Sequence, residues 1–599
     1  MQKLVFALAA VLLLPALPAH AVQLGDPKTG QALPGAQLKV NNTFYYKWNH
    51  FLDDDVDDDL IPPAQYHEFI NRVRADLQIE QFSLGAQLDI VGLVPGCDAG
   101  ADGCGVHPNL RGPTWPEGAD PLSLVELEKV WAKYQGKNIQ VSLGDFYASF
   151  GRGIVLALLK KPEIDQDNSL RGARFDLLTK NFDFTFLGGI TNPGQVSLEL
   201  RNTAIRNDLL SPGSLIVGGQ WKLRPVRGFA LGMHGVGYDL LDEEAAKGSL
   251  GGVLEANGLI DGGLDFYVEA NGVFYKEPVG DAASAEIAYE DRSGYTIYGV
   301  ATAYLGALTL TVEGKRYKDA QILRRDGPVT PLQYVLPPSL EHEPSVTEDV
   351  NAAIQSNDVT GWRARGDLWF LQSDTTVWAS VSNSVDDTPV QDFNDEREVM
   401  LHGQIGVDQP ISLGEHAVLH VNGDIGYRHD FPVHNDDDES NFLRAWGLFH
   451  FRADVGLTAG DHSWELVSTY RRQHYTLPAP ICWTIGGEET CSEDEGWVAM
   501  ENALSYTYKG SYTIAVHVDY TDDNIVQQTQ TNGSIGNLHY DPLWQSSVYL
   551  GGEVILKPVQ NLEVAIFGGS QKAGIVCTGG ACRNVPAFTG VKAKVSVNF

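Results

Sequence analysis

The segment EFINRVRADLQIE, residues 68–80, alternates between apolar and charged side chains along nearly its whole length. The residues of one parity are apolar: Phe69, Val73, Ala75, Leu77 and Ile79. Those of the other parity are polar and mostly charged: Glu68, Arg72, Arg74, Asp76, Gln78 and Glu80. Asn71 and Ile70 are the exceptions, each lying on the opposite parity. Successive side chains of a β-strand point to opposite faces. This spacing therefore predicts a strand with one apolar face and one polar, mostly charged face.

The same alternation recurs in segments 417–428, 443–455 and 512–520, and connections alternate between short and long from about Leu38 to Phe599. A soluble β-sandwich also produces alternating strands. Long strands and aromatic residues clustered near strand ends favour a membrane barrel instead: Tyr45, Tyr46, Trp48 and Trp497. We predict an all-β protein, a transmembrane antiparallel β-barrel of about 24 strands (roughly 22 to 26), with short periplasmic turns and long extracellular loops.

The first residues have the pattern of a secretory signal peptide. Lys3 supplies the positive charge, an apolar run follows, and Ala19-His20-Ala21 provides small residues for cleavage. We predict a signal peptide at residues 1–21, a short periplasmic segment at 22–36 and the barrel at 37–599. The segment 22–36 is too short to form a separate plug domain in a barrel of this size.

Composition excludes several classes of function. The formal net charge is −34, and no basic stripe is present that could displace counterions from nucleic acid. The motifs G-x-S-x-G and H-E-x-x-H and the dinucleotide fingerprint are all missing from the sequence. We therefore expect neither a nucleic-acid partner nor an enzyme, and we assign no catalytic residue.

The six cysteines form three close pairs: Cys97 with Cys104, Cys482 with Cys491, and Cys577 with Cys582. Each pair falls in a predicted long connection. In an exported protein such pairs indicate disulfides that clip loops. A zinc site is the alternative, but no histidine stands at ligand spacing.

An acidic run in the first long connection offers oxygen ligands at high density: Asp53, Asp55, Asp57 and Asp59. Ca²⁺ binds such ligands, although the EF-hand spacing is not met. A solvated acidic loop is the alternative that we favour. No other cofactor is expected.

Charged residues expected to face the lumen are the candidate functional residues: Arg72, Arg74, Asp76, Arg152, Glu313, Lys315, Arg363, Arg365, Asp367, Arg444, Arg452 and Asp454. Paired charges brace the wall, and an opposed arrangement also sorts polar solutes. Four histidines share the lumen parity, and we expect them to lie apart around a wide barrel: His402, His420, His450 and His517.

The connection at 149–168 begins with an apolar stretch, which an exposed loop should avoid. Either a strand extends beyond the membrane, or the segment folds inward and presents Arg152 to the lumen. Together with the connection at 319–357, it is our candidate for a constriction.

Two stretches resemble known outer-membrane proteins. The last residues, GVKAKVSVNF at 590–599, are similar to the C-terminal signal by which the barrel-assembly machinery recognises its clients, with Phe599 as the terminal aromatic residue. GDFY at 144–147, FGRG at 150–153 and LRG at 170–172 resemble the core of an uncharacterised family of large Gram-negative outer-membrane barrels. The resemblance implies a barrel and brings no known activity.

These observations favour a porin-like channel or conduit for polar solutes in the cell outer membrane, surrounded by lipid and lipopolysaccharide. The alternative is an outer-membrane scaffold or surface-interaction protein whose lumen or loops bind a protein partner. Conductance distinguishes the two.

Overall fold

A computed structural model describes most of the chain outside the long connections. The described residues are 22–25, 32–49, 66–95, 122–161, 166–194, 215–238, 246–279, 288–320, 358–386, 397–433, 446–475, 481–485, 488–492, 497–521, 548–571, 574–578, 581–585 and 588–599.

Most of the strands build one barrel. The barrel strands are β2 (Ala32–Asn49), β3 (Tyr66–Ile79), β4 (Phe82–Pro95), β5 (Leu122–Gln135), β6 (Ile139–Phe146), β10 (Gln166–Leu178), β11 (Phe182–Gly194), β12 (Leu215–Val226), β13 (Phe229–Tyr238), β14 (Lys247–Gly258), β15 (Leu264–Val279), β16 (Ala288–Leu305), β17 (Leu308–Lys318), β18 (Val359–Phe370), β19 (Thr375–Asp386), β20 (Arg397–Ser412), β21 (Ala417–Val433), β22 (Trp446–Ala459), β23 (His462–Tyr475), β26 (Val498–Tyr508), β27 (Tyr512–Thr521), β28 (Val548–Val559), β29 (Leu562–Gln571) and β32 (Phe588–Asn598).

The remaining elements are short: β1 (Val22–Gly25), β7 (Ala148–Phe150), β8 (Leu156–Leu158), β9 (Lys160–Lys161), β24 (Ile481–Ile485), β25 (Glu488–Ser492), β30 (Gly574–Thr578), β31 (Ala581–Val585) and one helical turn, α1 (Leu259–Gly262). No helix in the described ranges is long and apolar enough to cross a membrane.

The barrel closes between its first and last strands. β2 pairs with β3 on one side and with β32 on the other, where Asn41 lies opposite Asn598 and Asn49 opposite Gly590. The backbones of Val40 and Phe599 exchange hydrogen bonds of 3.1 and 2.7 Å. Every neighbouring pair is antiparallel, so the prediction of a closed 24-stranded barrel is confirmed.

The short turns lie close to their predicted positions, for example after Ile79, Leu305 and Ala459. Short connections are predicted near Pro225 and Pro558, and each chain reversal follows within two or three residues, since these prolines lie next to the last residues of β12 and β28. Proline fixes its own φ near a β-compatible value, so it is tolerated at a strand end while the chain reverses just beyond it.

The two faces of the wall differ in chemistry as predicted. Large apolar side chains on the outward face are exposed, among them Leu84, Leu143, Ile297, Val312 and Ile514. The inward face carries the polar and charged side chains, many of them buried against one another. This is the arrangement of a barrel whose outside meets lipid and whose inside meets water.

Candidate functional site in the lumen

A small hairpin leaves the wall and folds into the lumen. After β6 ends at Phe146, strands β7 and β8 pair with Phe150 opposite Leu156. The turn between them uses Gly151 and Gly153 at φ values of 55° and 87°, which glycine adopts without steric cost. The described part of the 149–168 connection therefore follows the inward alternative.

The apolar residues of this hairpin pack against the inner wall, which explains why the connection is rich in apolar residues. Phe150, Leu156 and Leu158 are almost fully buried against lumen-facing residues of the neighbouring strands: Leu170, Leu187, Ile216, Val236 and Tyr238. Burying one large apolar side chain contributes about 1.5–3 kcal/mol. Several such side chains hold the hairpin to the wall.

The far end of the hairpin reaches a second apolar cluster on β15 to β18. Ile154 packs there among tyrosines and one valine: Tyr267, Tyr298, Tyr317 and Val359. The hydroxyl of Tyr238 also donates a hydrogen bond to the carbonyl oxygen of Val155. The hairpin is thus attached at both ends and spans several strands of the inner wall.

Arg152 lies at the tip of the hairpin, on the lumen side. Its backbone N–H donates to Glu269 Oε2 at 2.9 Å, and its guanidinium carbon is 4.5 Å from the ring centroid of Tyr267. The Tyr267 hydroxyl donates to the same carboxylate oxygen at 2.6 Å. Asn271 donates to Glu269 Oε1 at 3.2 Å, so a fully buried carboxylate is satisfied on both oxygens.

Glu269 is the site residue that sequence reasoning missed. It lies on the lumen parity of β15 between two polar residues, but nothing near it in the chain indicates a partner. Its partner Arg152 is 117 residues away. Contact between them follows only from the inward path of the hairpin.

Most of the predicted lumen charges are paired within the described wall. Arg72 donates to both oxygens of the buried Asp89, at distances of 2.7 to 3.1 Å. The other pairs are Arg74 with Asp76 at 2.8 Å, Arg365 with Asp367 at 2.7 Å, and Arg363 with Glu313 at 3.6 Å. Such pairs brace the inner face of the wall.

Lys315, Arg452 and Asp454 are three further predicted residues that the structure describes. Lys315 places its ammonium 5.6 Å from the ring centroid of Tyr317. Arg452 and Asp454 lie on β22, on the same parity as the buried His450. Arg444 lies outside the described residues.

One arrangement of charge repeats along the wall. An arginine binds the aspartate two residues further along its own strand in the pairs Arg74–Asp76, Arg174–Asp176, Arg365–Asp367 and Arg428–Asp430. Residues two apart share a face of a strand, so each pair forms without help from a neighbouring strand. We refer to these as the in-strand pairs.

Two of the four lumen histidines meet. His402 Nε2 and His450 Nε2 are 2.8 Å apart although β21 runs between their strands. Gly426 of β21 leaves the space, because a Cβ there would overlap the His450 ring. The prediction that the histidines lie apart is therefore wrong for this pair.

The other two histidines have separate surroundings. His420 lies 2.9 Å from Asp408 Oδ1, and the ring centroid of His517 is 6.0 Å from that of Phe567. Among the described residues, no group of three or more His, Cys, Asp or Glu side chains is placed to hold a metal ion. The acidic run Asp53, Asp55, Asp57 and Asp59 lies outside them.

Two of the three cysteine pairs lie face to face in the backbone register of small hairpins. Cys482 is opposite Cys491 in β24–β25, and Cys577 is opposite Cys582 in β30–β31. Residues directly opposite in antiparallel strands have Cα atoms about 4.5–5.5 Å apart, within the range for a disulfide. Cys97 and Cys104 lie outside the described residues.

We expect all six cysteines to be oxidised in the purified protein, since the register supports the proposed pairing. A polyethylene-glycol maleimide should then shift the denatured chain on a gel only after reduction. A shift before reduction would show free thiols and contradict the pairing. Oxidised and reduced samples of a Cys482→Ser, Cys491→Ser variant serve as the control for one hairpin.

Comparison with known proteins supplies no activity. The sequence profile of a family of unknown function, DUF6029, matches residues 119–203 and 495–599. The first of these segments contains the GDFY, FGRG and LRG stretches. No curated protein matches the chain.

Solved outer-membrane proteins are similar to the chain at low identity and low TM-score. A BenF-like porin from Pseudomonas fluorescens Pf-5 is 13% identical with a TM-score of 0.33, over 72% of this chain and 98% of its own. Pseudomonas aeruginosa OccK2 (OpdF), in complex with glucuronate, is 12% identical with a TM-score of 0.35, over 71% and 98%. The copper transporter OprC is 9% identical with a TM-score of 0.41, over 97% and 81%. At these TM-scores the likeness carries no conclusion about this chain.

Proposed function

We propose that the protein is a porin-like channel for polar solutes in a bacterial outer membrane, narrowed by the hairpin of β7 and β8. The observation that carries this proposal is the position of Arg152, which the hairpin holds at the lumen side against Glu269 and Tyr267. A charged group on an inward-folded segment is a suitable filter for polar solutes.

The inner wall supports passage of polar rather than apolar solutes. Side chains of the pairs Arg74–Asp76, Lys222–Glu255 and Arg365–Asp367 remain partly exposed to the lumen. Charges that stay in contact with water contribute little to stability. They are available to bind and exchange passing solutes.

Conductance in a planar bilayer tests the proposal. Purified protein should give stepwise ion currents in KCl, each step being one inserted barrel. Protein that inserts, as shown by its protection from added protease, but gives no current would contradict the channel. That result would favour the scaffold alternative, in which the lumen or the loops bind a partner.

The charge of Arg152 should influence ion selectivity. Under a KCl gradient, Arg152→Ala should shift the reversal potential towards cation selectivity, because a fixed positive charge leaves the narrow part of the path. Arg152→Lys retains the charge and should remain close to the wild-type value. An equal shift in both variants would indicate a change in the hairpin rather than in the field.

A further inference from the structure

The hydrogen-bond ladder of the wall is interrupted between β5 and β6. The two strands pair from Gln135 opposite Gln140 to Trp131 opposite Gly144, and this pairing ends there. β6 continues to pair with β10 up to Phe146 opposite Leu170 before the chain turns into the lumen. Beyond Gly144, therefore, β5 and β6 separate within the wall.

Two side chains take the place of the missing strand contacts. Asp145 Oδ2 accepts a hydrogen bond from the backbone N–H of Val130 at 2.7 Å, and Arg171 Nη2 donates to the carbonyl oxygen of Glu128 at 2.8 Å. Arg171 also donates to both oxygens of Asp145. Backbone groups facing lipid must be satisfied within the protein, and these contacts satisfy two of them. We call Val130, Asp145 and Arg171 the seam.

The seam faces outward among apolar side chains. Leu127 and Val125 on β5 are 57% and 65% exposed on the same face, and almost half of the Arg171 side chain is exposed. Ionisable groups at membrane depth are costly, and where they occur they mark functional positions. If this part of the wall served only to close the barrel, a further strand would be expected to continue the hydrogen-bond ladder between β5 and β6.

Apolar surfaces lie on both sides of the seam. Outside, a groove of about 480 Å³ runs to Val130 and is otherwise lined by Leu38, Leu84, Ala86, Leu143 and their neighbours. Inside, Leu158 of the hairpin and Leu170 of β10 are fully buried. An alkyl chain lying across the seam would contact apolar atoms at both ends.

We propose that the seam is a lateral portal through which the tail of an anionic single-chain lipid, of the fatty-acid class, passes between the bilayer and the hairpin core. The exposed edge of the Arg171 guanidinium suits the carboxylate of such a lipid. Among the described residues, the contacts that join β5 to β6 and β10 beyond Gly144 involve side chains, whereas elsewhere a row of backbone hydrogen bonds would have to separate. The portal is a route distinct from the lumen path for polar solutes and does not depend on it.

Photolabelling with a sixteen-carbon fatty acid that carries a diazirine at the tail end tests the portal. The full-length protein is reconstituted in liposomes, irradiated and mapped by mass spectrometry. We expect labels on the lumen-side residues Leu158 and Leu170 as well as on the outward face. Ser380 and Ser382, lumen-facing residues of β19, are the internal control and should stay unlabelled.

Asp145→Asn should increase labelling of Leu158 and Leu170 about tenfold, because it weakens the charge-assisted contacts to Arg171 and keeps the guanidinium that suits the lipid carboxylate. Asp183→Asn is the matched control, because Asp183 likewise binds an arginine of the neighbouring strand, Arg224, but lies at the start of β11, beside a short turn. Heat-dependent gel mobility confirms that each variant is folded. Labels confined to outward residues such as Leu127 in both wild type and Asp145→Asn would overturn the portal, and the conductance result would stand separately.

Discussion

Ile154→Asp is expected to increase single-channel conductance about twofold or more by releasing the far end of the hairpin from the wall. Ile154 is 1% exposed and packs among the tyrosines of β15 to β17. A carboxylate there would lose the apolar contact and be removed from water, at a cost of several kcal/mol. The far end of the hairpin should therefore leave the wall, while Phe150, Leu156 and Leu158 keep its base in place and the barrel remains closed.

The same single-channel recordings include Ile154→Val as the control, which keeps the apolar contact and should change conductance little. Retained heat-dependent gel mobility shows that the aspartate variant still forms a barrel. If a folded Ile154→Asp barrel conducts as the wild type does, the hairpin does not limit the current. The constriction would then have to be sought elsewhere in the lumen.

Gly144→Ala is expected to prevent or severely reduce barrel formation. Gly144 has a φ of 88°, which side chains rarely adopt, and a Cβ there would overlap the carbonyl oxygen of Val130. Strain of this kind, added to a clash with backbone that cannot move without breaking the wall, costs of the order of 3 kcal/mol. The folded fraction after dilution from urea into detergent, read from heat-dependent gel mobility, measures it.

Gly403→Ala is the matched control for this substitution. Gly403 also lies within a barrel strand, but a Cβ there would meet nothing within 4 Å. Its folded fraction should equal that of the wild type. A comparable loss of folded fraction in both variants would mean that glycines in strands matter only for their general flexibility. The separation of β5 and β6 would then not require glycine at position 144.

Much of the barrel could be predicted because its causes are local. The alternation in residues 68–80 specifies the two faces of β3, and the same reasoning applies to β21, β22 and β27. Strand number followed from counting short and long connections. At Pro225 and Pro558 the chain reverses within two or three residues of the predicted turn positions. The local sequence determines the last residue of a strand only weakly.

The candidate site could be predicted only in part, because its contacts join distant residues. The apolar stretch after Phe150 left an extended strand and an inward fold both open, because its partners on β10 to β18 depend on the path of the chain through the lumen. The contact between His402 and His450 depends on Gly426 in the strand between them. The periodicity of one segment does not indicate which side chains two strands away contact it.

The in-strand pairs bear on how the barrel is made. A hairpin carrying Arg174 and Asp176, or Arg365 and Asp367, can neutralise these charges before its neighbours arrive. An arginine that had to wait for an acid on a later strand would be left uncompensated at the growing edge, beside lipid. A strand whose charges are paired within itself can therefore join the barrel before the neighbouring strand is present. The order in which strands insert then does not depend on when an acidic partner on another strand arrives.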